Sequence, residues 1–334
     1  MSAFAQSGEE ASTRRIWLGN TAGVVAGFAA QALVPPSPMF GQQPSAQPER
    51  RRSGTPTNFQ LACMTLPYSE YPFERALKGI KQAGFDYVAW GTTHRTDSDS
   101  TGEPVMAADA PASRARELGQ KCRDRGLDPL MMFSMVYPEA DDAMKVMTSR
   151  IRQAEAAGIR QVLTFGHNEG SAKRVWIQRF KQLGAIANDH NVTIVIKQHG
   201  GSTGTGQACE EIVQEISNPN VMVCYDAGNV MDYLNVDPIP DIMHCSKSVR
   251  SFCIKDHRNW PIDQDCGAGF GSIDHYRLLN PVAFAGIDMP LCCENISAPL
   301  VPRSSTPEEI DSLAQRSRLY LATAVSGLLH WGKK

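Results

Sequence analysis

A chain of 334 residues holds one large domain or two ordinary ones, and its 42% hydrophobic and 20% charged content is that of a globular protein. A formal net charge of -2 offers no basic footprint for nucleic acid.

The N-terminal segment reads as separate from the folded unit. Thr13-Arg14-Arg15-Ile16-Trp17-Leu18 precedes an apolar stretch from Ala22 to Leu33, and Ala30-Gln31-Ala32 suits a small-residue cleavage site. This is the pattern of a twin-arginine export signal over residues 1–32, so a periplasmic location is expected, with no stable membrane insertion once the signal is removed. The stretch is shorter than the ~20 apolar residues that span a bilayer. Residues 33–57, with clustered Pro, Gln and Ser and the run Arg50-Arg51-Arg52, read as a linker. The nine cysteines show no CxxC pair, and several fall within apolar runs, which favours packing over a disulfide framework.

From Asn58 to the C-terminus, short apolar runs alternate eight times with helical patterns. The predicted strands are Gln60–Met64, Tyr87–Trp90, Pro129–Met135, Gln161–Phe165, Thr193–Gln198, Val221–Asp226, Phe252–Lys255 and Leu291–Glu294. Their near-continuous apolar character is that of strands buried on both faces. Between them the 3.6-residue pattern predicts helices Pro72–Ala83, Pro111–Arg125, Asp141–Ala157, Lys173–Asp189, Gly206–Glu215, Ser272–Leu279 and Thr306–Leu328. Eight βα units over residues 58–334 predict a single α/β domain, a closed (β/α)8 TIM barrel. An open doubly wound sheet is disfavoured, because no Gly-rich dinucleotide fingerprint follows the first strand.

A TIM barrel carries its chemistry at the C-terminal ends of its strands. There the chain places Lys197 and His199, then Asp226, then Lys255, Asp256 and His257, then Glu294. Alternation along a strand sets Lys197 and His199 on one side, and Cys253, Lys255 and His257 on one side if strand seven runs that far. Buried charges of this kind must be paired, metal-bound or functional. Substrate contacts are expected from Asn229, Lys255, Asp256, His257 and Arg258, and from His94 and His167 beyond strands two and four. Lys255–Asp256 reads equally well as a structural ion pair, and Cys253 as core packing.

In order along the chain, Ile196-Lys197-Gln198-His199-Gly200-Gly201, Cys224-Tyr225-Asp226-Ala227-Gly228-Asn229, Ile254-Lys255-Asp256, Gly269-Phe270-Gly271-Ser272-Ile273-Asp274 and Cys293-Glu294 form a specific set. The set resembles the xylose isomerase-like barrel superfamily, in particular its sugar phosphate isomerase/epimerase group. The resemblance implies a divalent ion held by Glu, Asp, His and Glu at the ends of strands five to eight, with the glutamates moving a proton beside a sugar carbonyl. Asp226 and Glu294 match that pattern, whereas Lys197 stands at the first glutamate and Cys253 at the histidine.

Two arrangements accommodate the departures. In one, His199 joins Asp226 and Glu294 around Mn, Zn, Mg or Co, with Cys253 as a thiolate if the ion is zinc. In the other, the ammonium of Lys197 replaces the metal's charge, or a lysine of lowered pKa serves as the base alongside Glu294. The resemblance implies isomerisation or epimerisation of a small carbohydrate. The alternatives are β-elimination from a 3-keto glycoside at the same site and a non-catalytic sugar-binding barrel. An abasic-site endonuclease would need a basic DNA face, which is lacking, and a homo-oligomer is compatible with the sequence.

Overall fold

In the computed structural model, residues 54–96, 101–134, 136–167 and 172–330 are described. The twin-arginine pattern and most of the linker lie outside them. Eight parallel strands close on themselves: β1 (Asn58–Met64), β2 (Tyr87–Trp90), β3 (Asp128–Phe133), β4 (Gln161–Phe165), β5 (Thr193–Lys197), β6 (Val221–Tyr225), β7 (Val249–Ile254) and β8 (Asp288–Cys293). Each pairs with its neighbour in chain order, and β1 joins β8 through the register Asn58↔Asp288 to Cys63↔Cys293. Thr57 belongs to this closure rather than to a linker, because its amide donates to the Ala283 carbonyl at 2.9 Å and its side chain is buried.

The helices are α1 (Phe73–Gln82), α2 (Ala112–Asp124), α3 (Ala143–Ala157), α4 (Lys173–Asp189), α5 (Gly206–Ile216), α6 (Ala227–Leu234), α7 (Pro238–Cys245), α8 (His275–Leu279) and α9 (Pro307–His330). In α3 one stripe is inward: Met147, Ile151 and Ala154 are buried and Met144 is partly so. The helix ends at Gly158, whose φ of 76° is left-handed and costs glycine little. At the start of α9 the Thr306 hydroxyl accepts from the Glu309 amide while the Glu309 carboxylate accepts from the Ser305 amide, a reciprocal cap. Arg75 of α1 reaches Asp311 of α9 at 2.7 Å, tying the first βα unit to the last.

Helices α6 and α7 were not among the predicted segments. The first begins directly after β6, with Asp226 as its N-cap and Gly228 and Asn229 in its first turn, so it looks like a loop in sequence. The second is eight residues long and carries Pro238 and Pro240; its N-cap Asp237 followed by proline was a readable signal. Two short hairpins, Thr93–His94 with Glu103–Pro104 and Asp256–Arg258 with Gln264–Cys266, also went unpredicted. Among the described residues, no helix is long and apolar enough to cross a membrane.

The sheet separates two apolar layers. Outside it, leucine, isoleucine, valine and aromatic side chains pack strands on helices. Inside it lies a smaller cluster that includes Ala62, Met64, Ala89, Met131, Phe133, Leu163, Val195, Cys224, Cys253 and Cys292. All nine cysteines are free and buried, and act here as small hydrophobes. Alternation then dictates what comes next: the residues two places beyond Val195, Cys224, Cys253 and Cys292 are Lys197, Asp226, Lys255 and Glu294. All four stand over the inner apolar layer.

Candidate active site

Those four side chains form one ionic cluster. The Lys197 ammonium lies 2.8 Å from Glu294 Oε1 and 3.2 Å from Asp226 Oδ2. Lys255 approaches from the other side, 3.6 Å from Asp226 Oδ2, 3.5 Å from Glu294 Oε2 and 3.3 Å from Asp265 Oδ2. Burial of so many charges is tolerable only because each ion faces opposite charge. Lys197 is further boxed in by the Phe133 and Phe165 rings, at 5.6 and 5.8 Å from their centroids.

Secondary structure aims each group. The Glu294 amide donates to the Ile254 carbonyl at 2.8 Å, so the strand geometry of β8 persists through Glu294. Asp226 ends β6 and caps α6, accepting from the Asn229 amide at 3.0 Å. Its own amide donates to Gln198 Oε1 at 2.8 Å, and the Asn229 side-chain amide donates to the Gln198 carbonyl at 2.6 Å. Asn229 is therefore a buried support for Asp226 rather than a substrate contact. Gly228 makes room for Lys255: a Cβ there would lie 2.5 Å from the lysine's Cγ. Gly228→Ala should keep the fold, since alanine favours the helix, yet swing Lys255 aside and slow turnover roughly tenfold or more, as a misplaced catalytic group does. A thermal melt beside an activity assay separates the two effects.

The electrostatics set the protonation states. Burial alone would discharge the lysines, but Glu294 and Asp226 outweigh it and hold the Lys197 ammonium well above its ordinary range; Asp226, Glu294 and Asp265 do the same for Lys255. This direction runs against a lysine of lowered pKa acting as base. Burial pushes the Asp226 carboxyl up to about 6 against the pull of both lysines. For Glu294 the order reverses: burial is outweighed by Lys197 and Lys255, and the carboxyl is held well below the usual carboxylate range.

A cavity of about 600 Å3 opens on this cluster, lined by Glu294, Lys255, Asp265, Asn295, Tyr71 and Arg303 among others. Neither Lys197 nor Asp226 lines it. Glu294 lines the cavity with its Oε1 held by Lys197, while its Oε2 is buried beside Lys255 and accepts no hydrogen bond.

Several predicted contacts lie elsewhere. Asp256 is fully buried and accepts from the amides of His257, Gly269 and Ile273, so it shapes the Gly-x-Gly loop and does not face substrate. It is not paired with Lys255, whose partners are Asp226, Asp265 and Glu294. Strand β7 ends at Ile254, and the chain turns into the hairpin; His257 is fully buried there, between Asp265 at 3.0 Å and Asn259 at 2.9 Å. Arg258 donates to the Trp260 carbonyl at 2.8 Å. His94 is buried against Phe73, with Nδ1 2.8 Å from the Tyr71 carbonyl. His167 stacks on Tyr137 with centroids 3.7 Å apart. Asp265 and Gln198 were missed: both make contacts that only folding creates, Asp265 from an arm of the hairpin and Gln198, directly after β5, as the partner of Asp226 and Asn229.

His199 stands beside the cluster, with Nδ1 2.9 Å from the Gly166 carbonyl and its ring near Phe165 and Tyr233. Burial first, then the positive charges of Lys197 and Lys255, push its pKa down to about 4. The unfolded chain binds this proton near pH 6.5 and the folded one only near 4, so stability present above about pH 6.5 is lost as pH falls through that window. His199→Gln should flatten this part of the acid limb of a melting-temperature profile.

Among the described residues, two groups bring three metal-ligating atoms within 4.8 Å of one another: Asp226, Cys253 and Glu294, and Asp232, His257 and Asp263. His199 is in neither. The first group does not suit a divalent ion as it stands. Both carboxylates already face two ammoniums, and a divalent ion about 4 Å from one such charge is repelled by about 8 kcal/mol at an effective dielectric of 20. Burial and the neighbouring Cys224 push the Cys253 thiol well up, away from thiolate, and its sulfur lies 3.8 Å from that of Cys224 in the core. In the second group the His257 ring nitrogens are already engaged by Asp265 and Asn259.

The family model of the xylose isomerase-like TIM barrel matches residues 77–316, and the chain belongs to that family. Solved structures similar in fold include an L-ribulose 3-epimerase (TM-score 0.64, 14% identity, 82% of this chain and 97% of that one). Another is the IolI protein with a bound zinc atom (TM-score 0.62, 15% identity, 80% and 99%). A third is the D-allulose 3-epimerase of Methylomonas sp. in complex with D-allulose (TM-score 0.61, 14% identity, 81% and 99%). No curated protein matches the sequence.

Proposed function

We propose that this chain is a carbohydrate-active enzyme that removes a proton from the carbon next to a carbonyl, and so isomerises or epimerises a small keto sugar. The observation that carries the reading is Glu294: a carboxylate that lines the cavity, with one oxygen held by Lys197 and the other, free of hydrogen bonds, beside the Lys255 ammonium. The Glu294 carboxylate takes the proton from carbon. The electron pair left behind forms the carbon–carbon double bond of an enediolate, and the carbonyl oxygen becomes an oxyanion beside Lys255. Return of the proton from Glu294 to the former carbonyl carbon isomerises the sugar, as the neighbouring hydroxyl proton passes to the oxyanion; epimerisation takes a proton from solvent on the opposite face while Glu294 gives its own up to solvent. Likeness to proteins named as 3-epimerases of ribulose and allulose supports this class of substrate.

The test is incubation with a panel of ketoses and 3-keto glycosides in D2O, with deuterium at carbon read by NMR. Solvent deuterium in recovered substrate or in an epimer is expected. Absence of exchange across the panel, with or without added divalent ions, would sink the reading. Release of the aglycone from a 3-keto glycoside would show that the same carbanion eliminates instead. Export to the periplasm, which the twin-arginine pattern suggests, agrees with free or glycosidic sugars as substrates.

A further inference from the structure

We propose that Lys197 and Lys255 together take the place of a catalytic metal, so that the site works without one; this rests on the enolising reaction proposed above. Four observations converge. Lys197, at the end of β5, bridges Glu294 and Asp226 at 2.8 and 3.2 Å. Lys255, at the end of β7, faces the remaining oxygen of Glu294 and the same oxygen of Asp226. Those two oxygens, Glu294 Oε2 and Asp226 Oδ2, are buried without a hydrogen bond and are the atoms an ion would need. Gly228 leaves the space through which the Lys255 stem passes, so the backbone of α6 is itself fitted to that lysine. The positive charge that an enediolate needs is thus supplied by ammoniums built into two strand ends.

The lysines divide the work. Lys255 lines the cavity and is the catalytic residue that holds the developing oxyanion. Lys197 does not reach the cavity; it is a positioning residue that fixes the Glu294 carboxylate through Oε1. No redox change is involved: the proton that leaves carbon resides on Glu294 until it returns to carbon or passes to solvent.

The experiment uses full-length protein purified without chelator, elemental analysis, calorimetric titration with Mn2+, Zn2+, Co2+ and Mg2+, and the deuterium exchange assay with and without EDTA. The wild type should carry no stoichiometric divalent ion, and its exchange rate should stay within about twofold after chelation. Lys197→Glu removes one ammonium and adds a carboxylate, and should gain about one divalent ion per chain, seen as a calorimetric isotherm and a metal-dependent rise in melting temperature. Lys197→Gln, a milder change, should lower kcat with KM kept, because Lys197 does not touch substrate; a merely structural role would disturb both. One tightly bound ion per wild-type chain, exchange abolished by EDTA, or no gain of metal by folded Lys197→Glu would each overturn the proposal. If the wild type exchanges no deuterium yet binds no metal, and Lys197→Glu gains it, metal replacement stands and the assigned reaction falls. A metal-loaded wild type that does exchange gives the opposite division.

Discussion

Glu294→Gln should reduce deuterium exchange by about 10²–10⁴-fold, the contribution of a positioned general base. The substitution is nearly isosteric and keeps an oxygen to accept from Lys197, so the polar contact behind the base survives while the proton acceptor is lost. The change also takes one negative charge from the cluster, but what the reaction loses is its proton acceptor, so the fall should appear in kcat more than in KM. Exchange within tenfold of wild type, in a protein that melts cooperatively, would show that another group takes the proton. Asp265, the other carboxylate beside Lys255, would then be the residue to examine.

Asp226→Asn carries the largest expected effect on stability, a loss of about 3–5 kcal/mol, the usual consequence of stripping one partner from a buried ion cluster. Asparagine caps a helix nearly as well as aspartate, so the contact with the Asn229 amide is retained and the start of α6 should persist. What disappears is the negative charge shared by two ammoniums at 3.2 and 3.6 Å, leaving Lys197 and Lys255 to divide Glu294 and Asp265. The check is the urea midpoint at neutral pH, with the slope unchanged. A midpoint shift worth less than about 1 kcal/mol would mean that the lysines discharge or move apart. The double variant Asp226→Asn with Lys197→Met should then recover part of the loss, since it removes the stranded charge together with its partner.

Much of the barrel was legible because its elements repeat with a strong signal. Eight apolar runs, each too short for a helix and flanked by amphipathic stretches, admit few alternatives once a parallel sheet is considered. The strand boundaries shifted by one to three residues at several ends, as at β7, which begins at Val249 although Arg250 interrupts the apolar run. The unpredicted α6 shows the opposite failure: its first turn is poor helix sequence, but an N-cap at Asp226 and burial of Val230 compensate.

The site was legible in part for the same reason. Alternation relates Lys197, Asp226, Lys255 and Glu294 to the small inward residues two places earlier, so their convergence follows from the pleat. The pleat does not extend beyond the strand end, which is why Asp256 and His257 were misplaced: the chain leaves β7 at Ile254 and turns back in a hairpin. Asp265 escaped notice because it belongs to the returning arm of that hairpin and meets Lys255 only in the folded molecule. The sign of the lysine shifts was equally hidden. Burial and ion pairing push an ammonium in opposite directions, and only distances decide which prevails.

By itself the sequence determined the barrel and the mouth at which its chemistry lies. Those properties are written in periodicity and residue identity. Which side chains meet Asp226 and Glu294 was decided by the tertiary structure alone. Closing the barrel brings β5, β6, β7 and β8 to one rim, and there Lys255 takes up a position that no spacing between residues 197 and 294 could specify.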